Sequence, residues 1–393
     1  MGVDGDLRQS LGMLSCILSV LTVSLSQFSA HGESSVSWAE ADHAFGSGLL
    51  GLAEKAYTEL LGKGRDEEIM PLLLEIAVRS ENWDDAQRYL ESDDLPENVE
   101  CEFWRAQTLI GQGKRREGVL ALEEFLQEHQ EHSLSLEASL TLAALLLVDE
   151  RYPDVRRLLA GWSRADSPKV DFFKARLAVE TARISDSKKE YLKAINLLER
   201  MRQNPEGLPR DWMERVYFDL AETRLALKQP DSAETIMRTY LATFEESVHQ
   251  GDALALLAES GGFDDRAVRE DWLAWSKDQS PVLQGHVIFQ VACAEAREGK
   301  LLEAVERIGR MDSAHPLYET CAVLRARWLY DSSNASGCLN YITDDLIKSL
   351  SDEPSRLELR FLRGLALSQL GELDEAQQTF AQVPATTSVP SMA

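Results

Sequence analysis

Three glycines, Gly46, Gly48 and Gly51, fall in the stretch FGSGLLGLAEKAY (residues 45–57) with the spacing G-x-G-x-x-G. In a βαβ unit that spacing cradles a dinucleotide pyrophosphate at a helix N-terminus. The chemistry needs a buried strand ahead of the loop, and the residues ahead, WAEADHAF, have helical character instead. A turn between two helices is therefore expected, and nucleotide binding is not. His129 and His132 stand three apart among Glu124, Glu128 and Glu131. Two imidazoles on one helix face could begin a divalent-metal site, but such a site needs three or four ligands and a supporting shell. A solvated helix face fits the surrounding charge better. No G-x-S-x-G, H-E-x-x-H or G-x-x-x-x-G-K-S/T motif occurs. The adjacent carboxylates Asp84 with Asp85 and Asp264 with Asp265 fall at turns, where Asp caps a following helix. No catalytic residue, metal ligand or cofactor is expected, and the chain does not read as an enzyme.

The elements around these residues follow from composition and periodicity. With 393 residues, 44% of them hydrophobic, the chain can pack two or three ordinary domains or one elongated array. Its 41 basic and 66 acidic side chains give a net charge of −25. That balance opposes binding to a phosphate backbone or an anionic membrane, both of which need a local excess of Lys and Arg. It suits a solvated exterior or basic protein partners.

No stretch alternates as a strand does. Apolar residues recur at three and four, as in ASLTLAALLLV (138–148) and AINLLERM (194–201), which is helical spacing. Ser167–Pro168 and Ser280–Pro281 read as helix starts, with Ser as the cap and Pro in the first turn. The segment RGLALSQLGELDEAQQTFAQV (363–383) places small Gly364 in one helix, Gly371 at a turn, Ala376 small in the next helix and Phe380 one turn on. QVACAEAREGKLLEAVERIGRM (290–311) repeats the series with Ala292, Gly299, Ala304 and Ile308. Small residues let two helices of a hairpin approach closely, and the larger one fills the gap beside them.

This series closely resembles the tetratricopeptide repeat (TPR), a 34-residue helix–turn–helix unit. Aligning the small residue of the second helix gives Ala53, Ala86, Gly118, Val155, Ala194, Ala233, Ala267, Ala304, Cys338 and Ala376, spaced by 32 to 39 residues. Its partner twelve residues earlier is Ala106, Ala143, Ala221, Ala255, Ala292, Ala326 or Gly364. The longer spacings require an extended first helix or turn near ARISDSKKEYLKA (182–194). The resemblance implies an all-α, right-handed superhelical solenoid of about ten TPR-like hairpins over residues 31–384. GSGLLG then becomes the turn of the first hairpin, since Gly48 precedes Ala53 as Gly299 precedes Ala304.

In that family the first helices line the concave surface, and the residue three before the small one often faces the ligand. Here that position holds Trp38, Phe103, Leu140, Phe218, Phe289, Val323 and Phe361. The five aromatic ones, Trp38, Phe103, Phe218, Phe289 and Phe361, are the candidate partner-binding residues, because rigid rings bury much area at little entropic cost. The alternative is that each ring packs between adjacent first helices and meets no ligand. The Lys and Asn that relatives use to clamp a terminal carboxylate are missing from these positions.

Residues 11–25, LGMLSCILSVLTVSL, are uncharged and suit the apolar part of a secretory signal, with small residues following in SLSQFSAHG. Residues 1–30 are thus expected to be a signal peptide, or else a membrane anchor, and residues 385–393 a disordered tail with two prolines. Cys101, Cys293, Cys321 and Cys338 show no C-x-x-C spacing and read as buried thiols, although Cys321 and Cys338 could meet across one hairpin. The function these features imply is a protein- or peptide-binding scaffold or adaptor, exported to the periplasm or secreted. A structural homo-oligomer and the auxiliary repeat domain of a larger envelope enzyme or transport complex are the rival readings. No amphipathic cap follows Phe380, so a partner, a second copy or further chain is expected over the last repeat's apolar edge.

Overall fold

A computed structural model describes residues 37–384 apart from Asp166, so both the expected signal peptide and the tail lie outside the described residues. The described residues form 21 helices and no strand. The chain divides between Asp154 and Val155 into two compact units. In the first, α1 (Trp38–Gly46) pairs with α2 (Leu50–Leu60), α3 (Asp66–Arg79) with α4 (Trp83–Leu90), and α5 (Val99–Gly111) with α6 (Arg115–Glu128). Next come α7 (Ser135–Val148) and α8 (Tyr152–Gly161), within which the division falls.

The second unit pairs α9 (Pro168–Ser185) with α10 (Lys188–Gln203) and α11 (Arg210–Ala226) with α12 (Pro230–Thr243). It continues through α13 (Gln250–Glu259) and α14 (Arg266–Ser276) to α15 (Pro281–Arg297) with α16 (Leu301–Ile308). It closes with α17 (Tyr318–Asp331) on α18 (Ala335–Tyr341), the short α19 (Asp344–Ser349), and α20 (Glu353–Leu370) on α21 (Leu373–Phe380). Within each unit the second helix of a hairpin also packs on the first helix of the next, the layering of an α-solenoid. No helix among the described residues is long and apolar enough to cross a membrane.

One turn geometry makes these hairpins. A left-handed residue ends the first helix at Gly48, Glu81, Gly113, Glu150, Asp186, Lys228, Gly261, Gly299, Ser333 and Gly371. The amide that follows it donates back to a carbonyl five residues earlier, as Leu49 N does to Ala44 O (2.9 Å), Gln229 N to Arg224 O (2.9 Å) and Glu372 N to Leu367 O (3.0 Å). That is the Schellman closure of a helix C-terminus, which satisfies an orphan carbonyl and reverses the chain. Gly48 is one of these turns, with nothing within 4 Å of where its side chain would be. Among the described residues, helix α1 and no strand precedes it.

Five residues after nine of the ten left-handed positions comes the residue that meets the first helix. Ala53, Ala86, Ala233 and Ala304 have no exposed surface there, and neither do their partners Ala41, Ala221 and Ala292. The last hairpin shows why size matters. A Cβ on Gly364 would stand 2.5 Å from Cε1 of Phe380, so the ring of α21 rests directly on the α20 backbone.

Two sequence expectations shift by this rule. In the seventh hairpin the connection after Gly261 is longer, and Asp265 caps α14 through the amides of Ala267 (2.7 Å) and Val268 (3.1 Å). Ala267 is consequently in the first turn and exposed, as is Ala255, and Arg269 is the residue turned inward, 3% exposed. In the fifth hairpin the turn at Asp186 brings Tyr191 to the position expected for Ala194, which is buried one helical turn further along. Ser280 caps α15 as expected, by accepting from Leu283 N, whereas Ser167 makes no side-chain cap bond and Pro168 alone starts α9. Asn82, not the Asp84–Asp85 pair, accepts from the α4 backbone.

Candidate functional site

Four of the five aromatic residues of the first helices rest on the second helix of their own hairpin, and Phe218 also meets His249, at the start of the next first helix, at 6.3 Å. Trp38 lies edge-on to Tyr57 at 5.6 Å, Phe103 meets Phe125 at 5.7 Å, Phe218 meets Tyr240 at 5.0 Å and Phe361 meets Phe380 at 5.7 Å. Phe289 is packed against the core of α15–α18. Phe103 has no exposed surface, so as an anchor for a partner it is corrected to a core residue. Trp38, Phe218, Phe289 and Phe361 are only half-buried. Arg65 covers the Trp38 ring at 3.7 Å. In the second unit, then, Phe218, Phe289 and Phe361 share one register and keep part of each ring in water.

Counting ten residues back from each turn fills gaps that small-residue alignment left. From Asp186 it reaches Arg176, at the position Phe218 holds relative to Lys228. Arg176 crosses from α9 to α11 and donates through Nη1 to both oxygens of Asp219, at 2.6 and 2.8 Å. Asp219 is fully buried and takes a second guanidinium from Arg215 at 2.8 Å. Around this centre Arg183 bridges Glu180 (3.0 Å) and Glu222, and Arg176 reaches Glu180 at 3.3 Å. Three guanidinium groups thus face three carboxylates between two adjacent first helices. Buried charge of this kind is retained only where it is paired, because removing one partner leaves an uncompensated charge. Sequence reasoning missed the ladder because its partners lie 43 residues apart. The recurrence of Arg then acid four residues later, Arg176–Glu180 and Arg215–Asp219, was the available signal.

On the second helices, Trp272 and Trp275 of α14 meet edge-on at 5.1 Å beside a cavity of about 430 Å3 that Arg238, Leu241, Glu245 and Asp271 also line. The Arg238 guanidinium lies 4.7 Å from the Trp272 ring centre, within the reach of a cation–π contact. The indole Nε1 of Trp272 is buried without a hydrogen-bond partner.

The remaining chemistry-bearing side chains are tied to neighbours. His129 Nε2 lies 2.9 Å from Glu102, and His132 Nε2 lies 3.5 Å from Glu100, so both tie the end of α6 to α5. Glu102, Glu128 and His129 bring one ligand atom each within 4.8 Å of one another, with both carboxylates exposed. Cys101, Cys293, Cys321 and Cys338 are free thiols. Burial pushes them up to about 11, 11, 12 and 11, far from the thiolate that nucleophilic or metal chemistry needs. His286 and His315, unremarked in the sequence, meet at 5.1 Å between ring centres. Burial, then the neighbouring His315, lower His286 against the opposing pull of Asp252.

No family model and no curated protein matches the chain. Among solved structures it is similar to the crystal structure of a tetratricopeptide repeat protein from Parabacteroides merdae. The two are 14% identical, and the likeness covers 68% of this chain and 98% of that one with a TM-score of 0.42.

Proposed function

We propose that the protein is a non-catalytic interaction scaffold that holds a segment of a protein partner against the first helices of its second unit. The observation that carries this is the half-buried row Phe218, Phe289 and Phe361, recurring at one register after each hairpin has packed its own core. Aromatic rings with one face seated and one edge wet are efficient anchors, because they are already ordered before a partner arrives. At the rim of the Arg176–Asp219 ladder, the partly exposed Arg183 and Glu222 add directional hydrogen-bonding groups. An envelope location, with residues 1–30 removed on export, belongs to the same proposal and rests on the apolar run at 11–25. N-terminal sequencing of the protein from its native cell would support export by a mature end near residue 30, and an intact Met1 would count against it.

The test is cross-linked capture of partners from the native cell with the wild-type chain and with the Phe218→Glu, Phe289→Glu variant. A partner retained by the wild type and lost by an equally helical variant supports this face as the binding surface. A partner kept by both assigns those rings to packing alone.

A further inference from the structure

A second kind of site lies away from this face, where the end of α16 meets α17 and α18. A cavity of about 260 Å3 is lined there by Gly309, Ser313, Tyr318, Arg325 and Tyr341, with the apolar floor supplied by residues such as Met311. The guanidinium of Arg325 sits over the Tyr341 ring, 4.5 Å from its centre. The guanidinium also lies close to Gly309, where an added Cβ would stand only 2.8 Å from Cζ. The seat is shaped for a planar cation, and the absence of a side chain at 309 is part of it.

What singles out this arginine is its lack of a counter-ion. Every other arginine that is buried or half-buried among the described residues has a carboxylate at ion-pair distance. Arg325 is half-buried in a chain of charge −25, yet none of the described carboxylates pairs with it. Its Nε is buried and unpartnered. The polar neighbour of the guanidinium is the hydroxyl of Tyr341, which satisfies a hydrogen bond but not the charge. A partly desolvated guanidinium with no counter-ion is costly, and the acceptors that match its fork are carboxylate and phosphate. The hydroxyls of Tyr318, Tyr341 and Ser313 on the same cavity are donors that an oxyanion would also use.

We infer that this cavity binds a small oxyanion group, a carboxylate or phosphate, with the Arg325 guanidinium as its principal donor. Two sources share that chemistry: a free phosphoryl anion, and the carboxylate of a partner's acidic side chain. Titration calorimetry on the full chain at fixed ionic strength separates them, with inorganic phosphate as one probe and N-acetyl-glutamate amide as the other. Saturable binding of either probe, absent with chloride, is the expected result, and the tighter probe names the source. Arg325→Gln should weaken it about tenfold or more, the loss of one charge-assisted hydrogen bond or two. Gly309→Ala keeps the charge and a permitted backbone but displaces the guanidinium, and should weaken binding as well. Far-UV circular dichroism checks the helices of both variants, and Arg325→Met substitutes if Arg325→Gln loses them. The inference is overturned if neither probe saturates on the wild-type chain, or if folded Arg325 variants bind as tightly as wild type.

Discussion

Arg269 and Glu298 close the seventh hairpin onto the eighth. The guanidinium, 3% exposed on α14, donates from Nη1 to Oε1 at 2.7 Å and from Nη2 to Oε2 at 3.1 Å. The same Nη1 also donates to the carbonyls of Phe263 (2.8 Å) and Asp264 (3.1 Å), in the loop that makes this hairpin irregular. A long charged side chain thus holds a loop where most of the other hairpins use a small residue and a tight turn. Arg269→Ala strips these carbonyls of their donor and should cost about 2 kcal/mol, measured by urea unfolding. Glu298→Gln leaves the carbonyls served and should cost clearly less. Equal losses would mean that the ion pair, not the loop, is what matters.

Gly364 and Phe380 make a second testable pair. Gly364→Ala puts a methyl into the ring of Phe380 and should destabilise the last hairpin by about 1–2 kcal/mol. In a Phe380→Leu background the same substitution should cost much less, because the obstructing ring is gone. Additive losses in the double-mutant cycle would show that α20 suffers for another reason.

Acid should act on the second unit through His286. Its folded form is held below the ordinary 6.5 by burial and by His315. The unfolded chain therefore takes up the proton first, and stability present above that value falls as the pH drops through it. Melting midpoints should decline between about pH 7 and 5, and His286→Gln should flatten that decline. A still lower step belongs to Glu298, whose carboxyl the hydrogen bonds from Arg269 and Lys300 hold down at about 2. Its contribution is complete above the usual carboxylate range and disappears on the way down to that value. An unchanged profile in His286→Gln would remove the imidazole from the explanation.

The thiols give a readout of the core itself. With Cys16 replaced by serine, Cys101, Cys293, Cys321 and Cys338 should resist a thiol reagent at pH 8 and react together on unfolding, since burial raises each to about 11 or 12. Fast labelling of one of them in the native chain would point to local opening around that residue.

The periodic part of this molecule was legible in its sequence. Ala53, Ala233, Ala304 and Gly364 mark close helix approaches because no larger side chain fits there, and that constraint writes itself into residue type. The irregular hairpins were not legible in the same way. At Ala267 both the residue type and the position were wrong, because an extended connection after Gly261 moved the helix start and turned Arg269 inward. Ring exposure was equally hidden. Phe103 and Phe218 occupy the same register, but the first is walled in by Trp104 as well as Phe125, and only side-chain packing decides that. The Arg176–Asp219 pair and the absence of a carboxylate opposite Arg325 depend on what lies across from them, which no local pattern encodes.

The hairpin turns carry a consequence for how such a chain changes over generations. Only four of the nine evenly placed turns keep glycine, while Glu81, Glu150, Asp186, Lys228 and Ser333 hold the same left-handed backbone. A residue with a side chain is tolerated there at a modest cost of roughly 1 kcal/mol. What is inherited from one hairpin to the next is thus a bend, not a letter. Whole hairpins can be gained, lost or exchanged at these bends while their spelling drifts beyond recognition, so kinship among such arrays is better traced through the rhythm of their reversals than through the residues that make them.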